Sequence, residues 1–242
     1  MNKLFSFGNY HFFKKKWKDQ SSKYRYKHFY HFPIATYSPW LQDVEFIDVY
    51  SKIKENTLVD IYRCYELWSL AKQTNKLKGD ILEVGVWKGG TAGLLTRASS
   101  QGATVFLCDT FSGVVKAGHK DNQYIGGEHA DTSLGLVKDL LSRLAVNNYS
   151  ILQGIFPEAT GEAIADRRFK FCHIDVDVYQ SAKDVFIWVW DRMDVGGIIV
   201  FDDFGFAACE GITDLVNNEL AIREDLIMVH NLNGHAVLIK IK

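Results

Sequence analysis

From about Asp80 onward, short apolar runs alternate with longer stretches of helical periodicity. Ile81–Val86, Val105–Cys108, Ser150–Gln153, Phe169–Ile174 and Ile198–Phe201 read as strands, and helices are predicted near 90–100, 133–146, 158–166, 179–193 and 208–220. Strands joined through helices imply a parallel sheet with right-handed crossovers, covered on both faces. The tail breaks the pattern. Leu226–His230 and Ala236–Ile241 flank Asn231-Leu232-Asn233-Gly234, whose Asn-Gly pair favours a tight reversal, so an antiparallel hairpin closes the sheet. Upstream, Thr57–Thr74 carries apolar residues at helical spacing and predicts a helix packed across the first strand.

Composition supports a substantial core, at 47% hydrophobic and 14% aromatic residues. The formal charge of -1 hides an uneven distribution: residues 1–32 hold eight Lys/Arg against one acid, Asp19, which leaves -8 on the remainder. This basic start is interleaved with aromatic rings. It is expected to pack on the domain rather than to bind nucleic acid or an anionic membrane surface. The division expected is an arm and lid over 1–55 and a catalytic domain over 56–242. No apolar run reaches the roughly 18–20 residues that span a bilayer, and residues 1–30 lack a signal-peptide core, so a cytoplasmic protein without stable membrane insertion is expected. Cys64, Cys108, Cys172 and Cys209 lie too far apart for a paired metal or redox motif, and Cys108 and Cys172 read as buried thiols.

In such sheets ligands sit at the carboxyl ends of the strands, near the point where strand order reverses. The first of these ends reads Glu83-Val84-Gly85-Val86-Trp87-Lys88-Gly89-Gly90-Thr91, an apolar strand breaking into glycines before a helix, which suits close backbone approach by a ligand. A dinucleotide fingerprint needs a second glycine where Trp87 stands. Glu83 would be awkward beside a diphosphate but suits an ammonium or sulfonium group, and S-adenosylmethionine carries both. Asp109, 24 residues after Gly85 and followed by Thr110, stands where nucleoside-binding folds hold ribose hydroxyls.

The fourth strand ends His173-Ile174-Asp175-Val176-Asp177 and the fifth ends Asp202-Asp203, so four carboxylates converge at neighbouring strand ends and need a counterion. Carboxylates select hard cations: Mg²⁺ first, then Mn²⁺ or Ca²⁺. His173 is expected to pack within its strand. The polar stretch Phe111–Thr132 is a candidate lid, and within it His119 and His129 could hold or deprotonate an acceptor.

Taken together, Gly79–Gly90, Asp109-Thr110-Phe111, Ile174–Ser181 and Gly196-Gly197 with Asp202-Asp203 resemble the macrocin O-methyltransferase family, with Gly154–Glu158 a looser match. The resemblance runs from about residue 57 to 220. It implies a Rossmann-like class I methyltransferase fold with a mostly parallel seven-stranded sheet. It also implies Mg²⁺-dependent O-methylation, typically of sugar hydroxyls in antibiotics or other glycosides. By the same resemblance Asp175, Asp202 and Asp203 are metal ligands, and Glu83, Gly85 and Asp109 bind the cofactor, with Trp87, Gly89, Gly90 and Thr110 in the same turns. Asp175 is a candidate base, and Thr57 reaches the cofactor's amino-acid end. The chain departs from the family at Lys88, commonly arginine, and at Thr110, commonly serine. A nicotinamide-dependent sugar oxidoreductase and a non-catalytic protein on a methyltransferase scaffold are the alternatives. The partner expected is a small hydroxylated acceptor, with a homo-oligomer possible.

Overall fold

The computed structural model describes residues 38–242; the basic aromatic stretch 1–32 lies outside the described residues. Seven strands, β1 (Asp80–Val84), β2 (Val105–Asp109), β3 (Tyr149–Gln153), β4 (Phe169–Ile174), β5 (Met193–Phe201), β6 (Leu226–Val229) and β7 (Ala236–Lys240), form one sheet in the order β3-β2-β1-β4-β5-β7-β6. β1 to β5 pair in parallel, whereas β7 lies antiparallel between β5 and β6. The tail is the expected hairpin, and Gly234 in its loop has φ +91°. Strand order reverses between β1 and β4, which places the switch point at Gly85 and Asp175.

Alternation along the central strands divides the core in two. Ile81, Val105, Leu107, Phe171, Ile198 and Val200 face helices α1 (Val44–Ile53), α2 (Ile61–Thr74), α3 (Gly90–Ala98) and α4 (Leu134–Arg143). Leu82, Cys108, Cys172, Ile199 and Phe201 face α5 (Tyr179–Trp190) and α6 (Glu210–Leu215), which continues as a π-helical turn over Val216–Leu220. The four cysteines are buried and unpaired.

Three local differences from the sequence reading have plain causes. α1 falls in the stretch assigned to the arm. Asp43 caps it by accepting from the Phe46 amide (3.0 Å), and it buries Phe46, Val49 and Ile53 in the core. α2 starts at Ile61 rather than Thr57 because Asp60 caps it, accepting from the Tyr62 and Arg63 amides at 2.9 and 3.1 Å. The helix expected over 158–166 is reduced to a 3-10 turn, Gly161–Ile164. Gly161, in the middle of the expected stretch, is a poor helix former, and a side chain there is barred because a Cβ would lie 2.9 Å from the Trp188 indole nitrogen.

Candidate active site

A cavity of about 290 Å³ opens at the C-terminal ends of β1, β2, β4 and β5. Its walls include Thr57, Gly85, Trp87, Asp109, Thr110, Asp175, Asp202 and Asp203, so the structure brings these expected residues together. His129 joins them, its ring 6.1 Å from that of Trp87 and 6.2 Å from that of Tyr124. His119 is exposed and does not line the cavity. Gly89 and Gly90 do not line it either. Gly89 turns the chain at φ +85° into α3, and a Cβ at Gly90 would lie 2.7 Å from the Asn56 carbonyl, so both serve packing.

Gly85 lines the cavity, but its lack of a side chain answers to the fold. At φ +92°, a Cβ would sit 1.6 Å from the Asp175 carbonyl oxygen, so the β1 and β4 ends cross in contact. Asp109 holds the next turn: Oδ2 accepts from the Val86 and Trp87 amides (2.7 and 2.8 Å) and Oδ1 from the Phe111 amide (2.6 Å). Trp87 is thereby fixed at φ +46°, and its indole donates to Asp131 (2.9 Å), which also accepts from Lys88 (2.6 Å). Thr57 and Thr110 hydroxyls accept from nearby amides, those of Val59 (3.0 Å) and Ser112 (3.1 Å).

Glu83 lies beneath the cavity, not in its wall. It is fully buried, points to the α2 face and meets His173 Nδ1 at 3.0 Å across the β1–β4 register. Burial works against a charged His173, but Asp202 and Glu83 on its two sides outweigh this and raise its pKa to about 10. His173 is thus an ionic partner of the acids, a role beyond strand packing.

The acids at the strand ends are unequal. Asp202 is 3% exposed and accepts from Arg63 on Oδ2 and from His235 Nε2 on Oδ1 (2.9 Å). Burial pushes its carboxyl up, yet the His173 and His235 contacts and the Arg63 charge hold it below the usual range. Asp175 and Asp203 are raised well above theirs, by burial first and then by neighbouring carboxylates. Among the described residues no group donates to the Asp175 carboxylate, while Asp203 accepts from the Asp177 amide (3.0 Å) and has Cys209 Sγ at 3.6 Å. Asp177, at φ +64°, accepts from the Tyr124 hydroxyl (2.6 Å). One oxygen from each of Asp175, Asp202 and Asp203 can be chosen within 4.8 Å of the others. An all-oxygen set carrying more negative charge than its neighbours neutralise fits a hard divalent cation.

Arg63, His235, Glu66 and Tyr124 escaped the sequence reading. A buried arginine on an otherwise apolar helix face was the available signal for Arg63; His235 carries none, since its neighbours come from the far end of the chain.

The strand order, with an antiparallel seventh strand beside the fifth and a cavity at the β1/β4 switch point, is that of the Rossmann-like class I methyltransferases. The chain belongs to the macrocin O-methyltransferase (TylF) family, whose model matches residues 53–236. It is 26% identical to the demethyldecarbamoylnovobiocin O-methyltransferase of Streptomyces niveus, over 64% of this chain and 64% of that protein. It is also 26% identical to the mycinamicin III 3''-O-methyltransferase of Micromonospora griseorubida, over 62% and 65%. The chain thus spans less than two thirds of the length of these curated relatives. Among solved structures, the O-methyltransferase NovP superposes with a TM-score of 0.63 at 21% identity, over 77% of this chain and 83% of that one. The calicheamicin methyltransferase CalS11 gives 0.64 at 16%, over 85% and 94%. Among the described residues no helix is long and apolar enough to cross a membrane.

Proposed function

We propose that this chain transfers a methyl group from S-adenosylmethionine to a hydroxyl of a small molecule, most specifically a sugar of a glycoside, antibiotic or surface polysaccharide, with a divalent cation held by Asp175, Asp202 and Asp203. The observation that carries this reading is the pairing, in one cavity, of the Gly85–Trp87–Asp109 turn with two carboxylates, Asp175 and Asp203, that form no ion pair among the described residues. The family and the sugar-modifying relatives support the acceptor class, and they displace the nicotinamide alternative that Trp87 already opposed.

When bound, S-adenosylmethionine supplies an electrophilic methyl on a positive sulfur, and the metal a Lewis acid for the acceptor oxygen. The chain's own groups do the rest. Asp109 holds the Val86–Trp87 turn in the shape that forms one wall. Asp175 lines the cavity and accepts from no donor among the described residues, so it is the candidate base for the hydroxyl proton. Trp87, Tyr124 and His129 line the cavity with ring surface, which favours a transfer that consumes charge. A homo-oligomer and an arm-and-lid role for residues 1–32, which lie outside the described residues, belong to the same proposal.

Asp203→Asn is the cleaner test of the metal role. It keeps an acceptor for the Asp177 amide and removes a charge that has no ion-pair partner among the described residues, whereas Asp202→Ala also takes one of two acidic partners from each of Arg63 and His235 and breaks a buried ion pair, at a cost of about 3–5 kcal/mol. The expected outcome is a folded protein without Mg²⁺-dependent methyl transfer. Full activity of the unaltered chain in excess chelator would remove the metal from the mechanism.

A further inference from the structure

The groups that hold Asp202 come from two distant parts of the chain. Arg63 of α2 donates to Oδ2, and its Nε is itself held by the capping Asp60 at 2.9 Å. Three residues on, and therefore on the same side of that helix, Glu66 lies 2.6 Å from Nδ1 of His235, whose Nε2 lies 2.9 Å from Asp202 Oδ1. His235 is fully buried at the start of β7. On the other side, His173 Nε2 stands 3.6 Å from the same oxygen, too far for a hydrogen bond, with Glu83 on its Nδ1.

Each imidazole is thus fixed by a glutamate at Nδ1 and turned with Nε2 toward Asp202. With Arg63 on the second oxygen, the carboxylate cannot rotate without giving up a contact. Asp175 has no such support, and Asp203 only the Asp177 amide and the Cys209 thiol. Neither Glu66 nor His235 lines the cavity, so any influence they have on a ligand there passes through Asp202.

We propose that Arg63 and the Glu66–His235 pair are positioning residues that preset Asp202 as the rigid member of the carboxylate triad, so that an arriving hard divalent cation has one ligand already in place and draws in Asp175 and Asp203. This rests on the reading of those three acids as a cation site. Partners behind a ligand fix its orientation and its basicity, and losing one typically weakens metal binding by about ten- to a hundredfold.

The test uses the full chain and Mn²⁺, with free Mn²⁺ followed by its paramagnetic resonance signal, in the unaltered protein, Glu66→Gln, His235→Asn and the double variant. S-adenosylhomocysteine binding, measured by calorimetry in the presence of chelator, monitors the integrity of the cavity. Each single change is expected to raise the Mn²⁺ dissociation constant by about tenfold or more. The double variant should lose less than the two effects combined, because both residues act through one chain of contacts, and S-adenosylhomocysteine affinity should be unchanged. Unchanged Mn²⁺ affinity in both single variants, with the unaltered protein binding Mn²⁺, would overturn the positioning role alone. No Mn²⁺ binding by the unaltered protein would overturn the cation site and the positioning role together. If His235→Asn loses S-adenosylhomocysteine binding, Glu66→Gln decides, since its side chain is partly exposed and keeps its shape.

Discussion

At the scale of single residues, the same turn carries both fold and chemistry. Gly85 was legible from its place after an apolar strand, but the reason for it was not: the contact is with the Asp175 carbonyl, 90 positions later in the chain, and only the β1–β4 pairing creates it. Gly85→Ala is expected to destabilise the protein by more than about 1 kcal/mol, a fall of roughly 2–4 °C or more in Tm for a chain of this size, and to displace Asp175. Calorimetry checks the first effect and Mn²⁺ binding the second. Glu83 shows the opposite limit. Its charge drew attention, yet its partner is His173 on the adjoining strand, because strand alternation turns both toward α2.

At the scale of elements, the periodicity located every strand, since each is an apolar run bounded by polar turns. It missed α1, whose short amphipathic stretch lay in a region dominated by charge and aromatic rings, and it placed a helix over 158–166 where only the 3-10 turn Gly161–Ile164 forms. The long segment after β2 read as a free loop because nothing local reveals its anchors. Asp121, buried, accepts from the Tyr179 amide at the start of α5 and from the Gly118 amide, both at 2.9 Å. Ser181 donates to the Val115 carbonyl, and Lys116 and Lys120 pair with Asp184 and Asp214. Asp121→Ala is expected to cost about 0.5–2 kcal/mol, as loss of a helix cap does, and to speed amide exchange across 111–132. Hydrogen-exchange mass spectrometry reads this directly; exchange unchanged in that segment would show that the other anchors suffice.

At the scale of the whole molecule, a cluster of acids at one end of the sheet costs stability wherever it lacks a counterion. Asp175 and Asp203 have folded-state pKa values above their unfolded ones, so the protein without metal is favoured by their protonation and loses that stability as pH rises beyond the ordinary carboxylate range. A bound cation reverses the loss. The rise in Tm produced by Mg²⁺ is therefore expected to grow from about pH 4, near the unperturbed carboxylate value, toward neutrality, and thermal scans with and without Mg²⁺ would show it. The central claim is that the cavity at the β1/β4 switch point takes S-adenosylmethionine and not a dinucleotide. Calorimetric titration of the full chain with each ligand separately tests it most directly. Saturable one-to-one binding of S-adenosylmethionine without binding of NAD is the expected result; tight NAD binding with none of S-adenosylmethionine would contradict it.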